Sequence, residues 1–487
     1  MEIKNNDCSA LEQELTRKVS DLDSQRDMRE TELVDIILKH IADEIVSRET
    51  DINALIAATK GRCQKEIMQL VMHEIIRAAE GLLWCPEYVE KLNSGQHVRV
   101  FTGSHWETIE TQQWRDFVGL CAERCGVHDS LCMDYRFMNH LTEGLASNLA
   151  ESRKQKIPKD QVWLNLQNGV LVVKADGMVE LHEHRKEYLF TYTLKYAYDP
   201  QAECPQWHKF INRVLPEEES RQVLREFIGY CLMKDHRLER LLMLYGEGLN
   251  GKSVTLEIIE YLLGSMNVSY LSLSDLTNDD VKRAAIEGKK LNISHESGKD
   301  VNPNVLKQLT SGERVTIKHL YRDPYETNDY GKQIAAFNVL PRAENTFGFF
   351  RRIIILPYEI TIPKEEIDRQ LAPKLKEEIS GILNWVLMAL PDLMTREEFT
   401  VSENCEKAME QYRLQADNVR LFLNEACEAS EDTTLASDIY GSYRSYCLGS
   451  SLKPIGKKKF YARLESLGYE LVIYGNLKYF KLKVIES

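Results

Sequence analysis

The chain has 487 residues, of which 43 % are hydrophobic and 28 % charged, and its net charge is −13. This composition predicts two to four folded domains and excludes a membrane-embedded chain, because no apolar stretch approaches the roughly 18 residues of a bilayer span. The acidic balance argues against a protein that coats DNA with its whole surface, while eleven scattered cysteines and a polar N-terminus without signal-peptide character predict a reduced, cytoplasmic protein.

Residues 1–95 are predicted to be a helical region, because stretches such as ELVDIILKHIADEIV repeat apolar residues at intervals of three and four. Such a face can pack internally or join subunits, and it carries no catalytic grouping. Residues 96–224 are predicted to form an α+β domain that starts with short strands and continues with helices. Two strands around a turn at Asp176-Gly177 follow, preceded by Asn168-Gly169.

A cysteine-rich stretch within this region, CAERCGVHDSLC, raises the question of a metal site. It offers Cys121, Cys125, His128 and Cys132. Zinc sites prefer more closely paired ligands, whereas Cys121 and Cys125 stand one helical turn apart, where buried cysteines are common. Two buried core cysteines are the favoured interpretation.

The stretch LLMLYGEGLNGKS, residues 241–253, predicts a nucleotide-binding loop. Leu241–Tyr245 has no polar alternation, as in a strand buried on both faces of a parallel sheet, and VTLEIIEYLLG after the loop has helical spacing up to Gly264. The loop fits the P-loop pattern of Gly, four residues and Gly-Lys-Ser. Its predicted phosphate-binding residues are Gly246, Gly248, Asn250, Gly251, Lys252 and Ser253.

Each residue type in this loop suits one part of the chemistry. Glycines let backbone amides wrap phosphate oxygens, Lys252 would reach the β- and γ-phosphates of ATP, and the Ser253 hydroxyl would hold Mg²⁺. Downstream, Glu296 ends a short strand, where a carboxylate would polarise the attacking water. Asn338 ends another strand and would touch the γ-phosphate or the water.

Two basic groupings complete the predicted core, which spans 225–362. A glycine turn and a basic hairpin follow the Glu296 strand, and Arg351 and Arg352 precede the apolar strand of FGFFRRIIILPY. A helical segment is predicted for 363–414. Residues 415–487 are predicted to end in a β-wing with its turn at Gly475-Asn476, next to Lys457, Lys458 and Lys459; residues 451–487 carry eight Lys and Arg against three Glu.

The ordered set of Asn250 before Gly-Lys-Ser, Glu296, the basic hairpin, Asn338-x-x-Pro and Phe-Arg-Arg resembles superfamily 3 helicases, most closely the poxvirus and phage-satellite primase–helicase type. The resemblance covers roughly residues 100–487 and includes Asn168-Gly169-Val170 and Tyr198-Asp199-Pro200. It implies an α/β fold with a P-loop AAA+-like ATPase core, a preceding accessory domain and a C-terminal winged helix. His295-Glu296 stands where the family often has an acidic pair, and no primase site is evident.

The resemblance also implies roles for individual residues. Arg351 or Arg352 would be an arginine finger supplied to the neighbouring subunit, and Glu296 would share the Mg²⁺ site with Ser253. Single-stranded DNA would pass through a ring, usually a hexamer, in the 3′ to 5′ direction. Its contacts would be Lys318, His319 and Arg322 on the hairpin, and duplex or origin DNA would bind Lys457–Lys459.

The predicted function is therefore an ATP-driven, ring-forming DNA helicase of a virus, plasmid or other mobile element, with a separate primase or polymerase as a partner and no membrane association. An ATP-switched module that marks an origin or recruits replication proteins without unwinding is the alternative. A small-molecule kinase is disfavoured, because no acceptor pocket or lid motif is evident.

Overall fold

The structure, a computed structural model, describes residues 30–47, 64–86, 98–153, 155–295, 301–341, 347–450, 452 and 454–485. The chain divides into two compact units, one up to Pro200 and one from Gln201 onward. Within the described ranges, no helix has both the length and the apolar character that crossing a bilayer requires. The predicted Glu296 lies outside the described residues.

The first unit begins with a mainly helical part. Its elements are α1 (Glu30–Ser47), α2 (Gln64–Ala79), β1 (Leu83–Trp84), β2 (Arg99–Phe101), β3 (Trp106–Thr108), α3 (Thr111–Arg124), α4 (Asp129–Cys132) and α5 (Tyr135–Asn148). The strands form an antiparallel sheet in the order β1-β2-β3, and α1, α2, α3 and α5 share one apolar core. The prediction of helices in residues 1–95 omits β1, which is too short to show alternation and is defined by its pairing with β2.

The cysteine-rich stretch contributes to this core. Cys121 and Cys125 are buried, as the favoured interpretation predicts, and burial raises the pKa of the Cys125 thiol to about 12. The His128 ring instead caps α4, where its Nδ1 accepts a hydrogen bond from the Ser130 amide at 3.2 Å.

The rest of the first unit is a three-stranded antiparallel meander of β4 (Gln161–Leu166), β5 (Gly169–Lys174) and β6 (Val179–His182). The two strands predicted around Asp176-Gly177 are β5 and β6, and the prediction misses β4, which a second turn at Gln167-Asn168 joins to β5. The Asn168 side chain exchanges two hydrogen bonds of 2.9 Å with the backbone of Tyr198. These hydrogen bonds therefore join the two sequence motifs of this region, Asn168-Gly169-Val170 and Tyr198-Asp199-Pro200.

The second unit is built on a five-stranded parallel sheet. Its strands are β7 (Leu241–Tyr245), β8 (Val268–Ser269), β9 (Leu291–His295), β12 (Lys332–Phe337) and β13 (Ile353–Pro357), in the order β13-β7-β12-β9-β8. Strands β7 and β13 are wholly apolar, whereas β9 and β12 also carry buried polar residues, which are Asn292, Ser294, Lys332 and Gln333. Burial of nearly every strand residue is expected for a sheet covered on both faces. The parallel arrangement brings the carboxyl ends of all five strands to one edge.

Helices and one hairpin surround this sheet. The hairpin pairs β10 (Val315–Ile317) with β11 (Tyr325–Thr327). The helices are α6 (Pro205–Val214), α7 (Glu218–Leu232), α8 (Lys252–Leu263), α9 (Leu273–Asn278), α10 (Asp280–Arg283), α11 (Pro303–Ser311), α12 (Phe347–Phe350), α13 (Leu371–Glu377), α14 (Ile379–Leu387), α15 (Leu390–Arg396) and α16 (Glu403–Ala416).

The chain ends in a small module with its own apolar core. Its elements are α17 (Asn418–Ala426), β14 (Cys427–Leu435), α18 (Ala436–Gly449), α19 (Lys457–Ser466), β15 (Leu471–Tyr474) and β16 (Leu477–Val484), and its sheet order is β14-β16-β15. The turn at Gly475-Asn476 joins β15 and β16 as predicted. Sequence patterning gives no sign of β14, because CEASEDTTL is mostly polar and its pairing with β16 is interrupted by a register shift.

Candidate active site

The loop between β7 and α8 has a backbone suited to binding an anion. Three of its residues have positive φ: Gly248 at 102°, Leu249 at 48° and Gly251 at 90°. Residues with positive φ can turn neighbouring amide groups toward one side of a loop, an arrangement that favours anion binding. The start of α8 adds its own unpaired amides and the positive end of its dipole.

The carboxyl end of β13 fixes one side of the loop. A Cβ atom at Gly246 would lie 2.3 Å from the Tyr358 carbonyl oxygen, so only glycine fits there. The side-chain amide of Asn250 donates to the same carbonyl at 3.1 Å. The backbone amide of Tyr358 donates to the Tyr245 carbonyl at 2.6 Å. Sequence reasoning missed Tyr358, since a contact made by a backbone carbonyl leaves no signature in residue type.

Helix α6 supports the other end of the loop. A Cβ atom at Gly251 would lie 2.8 Å from a methyl group of Val214 and 3.1 Å from the Phe210 ring. The apolar periodicity of α6 is visible in the sequence, but its contact with the loop depends on the tertiary fold. The loop is thus held between α6 and the end of β13.

Lys252 and Asn338 meet at the carboxyl edge of the sheet. Lys252 is 7 % exposed, and its ammonium group donates to the Gly246 carbonyl at 2.5 Å, to Asn250 Oδ1 at 3.1 Å and to Asn338 Oδ1 at 3.3 Å. Asn338 follows Phe337, which is the parallel partner of Tyr245 in the neighbouring strand. A cation, an amide and a set of backbone donors therefore converge where the predicted phosphates would lie.

The predicted Mg²⁺ residues are only partly described. Ser253 is an exposed residue in the first turn of α8, directly after Lys252. His295, the last residue of β9, is exposed and pairs with Ala336, so the chain leaves β9 at the edge that carries Lys252 and Asn338. Glu296 comes next in the sequence and lies outside the described residues.

Arg351 and Arg352 lie at the opposite edge of the same sheet. They precede β13, and the Arg352 carbonyl accepts a hydrogen bond from the Leu241 amide, at the start of β7. A five-residue strand spans about 16 Å, so roughly that length of backbone separates both arginines from the loop that follows β7. The structure does not bring them to the Lys252 site of their own chain.

The two arginines also differ from each other. The Arg352 side chain is 13 % exposed and donates to Ser311 Oγ at 3.0 and 3.1 Å and to the Gly348 carbonyl at 2.7 Å. The Arg351 side chain is 46 % exposed and contacts Glu239 at 3.0 Å. Arg352 also lies 3.4 Å from Glu239, so it is held at three points within the unit, whereas Arg351 has this one carboxylate contact and is much more exposed.

The hairpin β10–β11 carries Lys318, His319 and Arg322 in its connecting loop, as predicted. Arg322 is exposed and Lys318 is half-buried. His319 has partners in its own chain, because its Nε2 lies 3.2 Å from a Glu287 carboxylate oxygen and 3.1 Å from the Tyr325 hydroxyl. The His319 side chain is therefore bound to residues of its own chain, which sets its role apart from that of Lys318 and Arg322.

Lys457, Lys458 and Lys459 form the first turn of α19, and all three are exposed. Cations at a helix N-terminus are unfavourable with the helix dipole, and this first turn has no acidic residue to compensate. A bound polyanion would remove that penalty. The arrangement therefore suits phosphate contacts better than it suits the stability of the isolated helix.

Two family models match parts of the chain. Residues 82–216 match a family described as D5 N terminal like, and residues 244–352 match a family of unknown function, DUF5906. The second match begins inside β7 and ends at Arg352, so it contains the loop, Asn338, the hairpin and both arginines. Each model covers less than half of the chain.

Curated relatives of the chain are viral proteins named as helicase candidates. L207/L206 of Acanthamoeba polyphaga mimivirus is 23 % identical over 158 residues, which are 31 % of this chain and 16 % of that protein. Protein 184R of Invertebrate iridescent virus 6 is 25 % identical over 281 residues, 48 % of this chain and 27 % of that protein. Protein 121R of Invertebrate iridescent virus 3 is 21 % identical over 292 residues, 52 % of this chain and 31 % of that protein. The chain thus spans less than a third of the length of these relatives.

Among solved structures, the apo form of the NrS-1 C-terminal region is similar to part of the chain. One structure has a TM-score of 0.40 and 10 % identity, and the match covers 66 % of this chain and 96 % of that one. Another has a TM-score of 0.39 and 12 % identity, and the match covers 61 % and 81 %.

Proposed function

We propose that the chain is an ATP-dependent, ring-forming DNA helicase, moving 3′ to 5′, that acts in the replication of a virus or another mobile element. The observation that carries the proposal is the distribution of charge across the parallel sheet. Lys252 and Asn338 converge beside the glycine loop at the carboxyl edge, while Arg351 extends from the amino edge. That division suits an AAA+-like core that completes its site with a neighbouring subunit, and the viral relatives named as helicase candidates support it.

Within this proposal the chain's own residues bind and orient ATP. The amides of the Gly246–Gly251 loop would hold the phosphate oxygens and Lys252 would neutralise the β- and γ-phosphates, exchanging its present oxygen partners for theirs. Ser253 and Glu296 would hold Mg²⁺, which supplies charge neutralisation at the phosphates when bound. Asn338 would sense the γ-phosphate, because its amide already contacts Lys252 at the strand end.

Electron microscopy of the purified chain with ATP is the direct test of ring formation. We expect closed rings, with six-fold symmetry, that depend on the nucleotide. A monomer at every protein and ATP concentration would contradict the proposal, since Arg351 would then have no neighbouring site to enter.

The hairpin would contact single-stranded DNA in the centre of the ring. We expect the double variant Lys318→Ala/Arg322→Ala to retain basal ATPase activity and to lose most of its stimulation by single strands, because both cations lie in the hairpin loop and neither contributes to the nucleotide site. A control variant, Arg369→Ala/Lys407→Ala, removes two exposed cations elsewhere in the same unit and should be stimulated normally. Undiminished stimulation in the hairpin variant would place the DNA contacts elsewhere.

The C-terminal module, residues 415–487, would be a winged helix that binds duplex or origin DNA through α19. We expect replacement of Lys457, Lys458 and Lys459 by Gln to weaken duplex binding and to lower the slope of log affinity against log salt by up to about 3, one unit for each phosphate that is no longer neutralised. Replacement of the same three residues by Arg keeps the charge and should preserve the slope. An unchanged slope in the Gln variant would show that the three lysines do not contact DNA phosphates and belong to an ordinary charged surface.

Substitution tests this module better than deletion does. The Asp417 side chain is 2 % exposed, and the Arg463 guanidinium of α19 donates to it at 2.9 Å. A deletion that starts after α17 and removes Arg463 would leave that buried carboxylate without its cation, which destabilises the part that remains.

An ATP-switched module that marks an origin or recruits a primase or polymerase is the second candidate. The exposed Lys457–Lys459 turn favours it, since duplex binding is sufficient for that role. Strand displacement on a forked duplex separates the two candidates, because only a helicase couples hydrolysis to the release of one strand.

A further inference from the structure

The tip of the β10–β11 hairpin loop carries two exposed apolar residues. The DNA contacts proposed for the neighbouring cations give no reason for an apolar surface there. Leu320 is 70 % exposed, and Tyr321 has a relative exposure of 103 %, so its ring lies wholly in solvent. A single exposed apolar residue is ordinary, but a leucine and a tyrosine at the end of a hairpin form a projecting apolar tip.

The backbone at this tip is unfavourable for a tyrosine. A hydrogen bond of 3.2 Å from the Arg322 amide to the His319 carbonyl closes the turn, and Tyr321, its third residue, has a φ of 63°. Glycine or asparagine usually occupies such a position, because a large side chain is disfavoured at positive φ. A fully exposed ring gains no packing energy that would compensate, so the chain's own stability does not account for tyrosine here.

The hairpin that carries the tip is held at several points. The Lys318 amide donates to the Asp280 carbonyl at 3.0 Å, and the buried Arg283 donates to the Thr316 carbonyl at 2.6 Å. The Tyr325 hydroxyl donates to Glu287 at 2.7 Å, and His319 contacts the same carboxylate. His319 therefore positions the hairpin, and the tip is presented in a fixed orientation.

Charge alone gives this hairpin little affinity for phosphate. Between Val315 and Thr327 its two cations, Lys318 and Arg322, are balanced by Asp323 and Glu326. Unlike the Lys457–Lys459 turn, it is therefore close to neutral when His319 is neutral. A DNA contact made here needs a further contribution that does not depend on charge.

We infer that Tyr321 stacks on unpaired nucleobases of a single strand, with Leu320 packing beside it and Lys318 and Arg322 reaching the flanking phosphates. The inference rests on the proposed function and names the part of the nucleic acid that this hairpin recognises. Every base has an aromatic face, so such a contact tolerates any sequence. Duplex bases are already stacked on each other, so the ring selects single strands.

Binding of two fluorescent oligonucleotides to the full chain tests the inference. One is a thymidine 30-mer, and the other is an abasic 30-mer with the same phosphate backbone. We expect the wild type to bind the thymidine strand more tightly, and Tyr321→Ala to lower that affinity about 10- to 100-fold while leaving abasic binding and the salt slope unchanged. Tyr321→Phe, which keeps the ring, should bind like the wild type.

Two further variants test whether a lower affinity of Tyr321→Ala has a cause other than lost stacking. Tyr321→Gly relieves the positive φ, so it should lose thymidine-strand affinity without a lower melting temperature. Tyr135→Ala removes an exposed tyrosine from the first unit and should bind normally. Equal wild-type affinity for the two strands, or a Tyr321→Ala variant that binds thymidine normally, would overturn the inference and leave the proposed function standing. A wild type that binds neither strand would overturn both, and smaller assemblies of Tyr321→Ala without DNA would assign the tip to a contact between subunits.

Discussion

Lys252→Ala is expected to abolish ATP hydrolysis. The Lys252 ammonium donates to Gly246, Asn250 and Asn338, where the glycine loop meets a strand-end amide. Without it, the charge that develops on the transferred phosphoryl group loses its nearest cation. Removal of one such preorganised group commonly costs about 10²- to 10³-fold in turnover, and we expect at least that loss in steady-state ATPase assays.

The variant should remain folded, because Asn250 keeps its bond to the Tyr358 carbonyl and Gly246 keeps its place beside it. Lys376→Ala is the matched control. Lys376 pairs with Glu257 on the flank of α8 at 2.6 Å, so its loss removes a partly exposed ion pair on the same helix and should leave turnover unchanged. Undiminished turnover in a folded Lys252→Ala protein would reject the ATPase proposal.

Arg351→Ala and Arg352→Ala are expected to fail in different ways. Arg351→Ala should lower hydrolysis by about 10³-fold or more with little change in melting temperature, because an exposed guanidinium adds little to stability and a finger arginine contributes strongly to phosphoryl transfer. Arg352→Ala should instead lower the melting temperature by several degrees, since it breaks the hydrogen bonds to Ser311 and Gly348. Calorimetry and ATPase assays on the same preparations separate the two effects.

Mixing then tests whether Arg351 acts on a neighbouring subunit. Lys252→Ala keeps its arginine and Arg351→Ala keeps its lysine. Random assembly of equal amounts in a closed ring makes roughly a quarter of the interfaces competent. Two inactive proteins should therefore regain partial activity when they exchange subunits. Co-assembly without recovery would contradict action in trans, unless single-turnover measurements find activity at the isolated competent sites of rings that cannot cycle.

The local parts of the site could be predicted from the sequence. The strand Leu241–Tyr245, the glycine loop, the helix from Lys252 and the position of Asn338 at a strand end all follow from apolar periodicity and from glycines at fixed spacing. These features occupy short, continuous stretches in which each residue's neighbours are also its neighbours in sequence. A linear pattern is enough to identify them.

Other features depended on pairing between distant segments. The polar strand Cys427–Leu435 exists because β16 supplies its hydrogen bonds, and Gln167-Asn168 is a turn between strands because Leu166 pairs with Gly169. Strand propensity is set largely by the partner and by burial, so a single polar stretch carries little of that information.

By itself, the sequence determined which side chains carry charge and which segments are strands, loops and helices around Lys252. Only the tertiary structure decided which of those side chains are held by partners within the chain and which are exposed. Arg352 is anchored because α11 and α12 bring Ser311 and Gly348 to it, while its sequence neighbour Arg351 is half exposed and contacts Glu239. His319 is bound to Glu287, whereas Tyr321, two residues on, is fully exposed. Residues close together in sequence share one local pattern, and they are distinguished by partners from remote parts of the chain, which become neighbours only when the sheet and its helices pack.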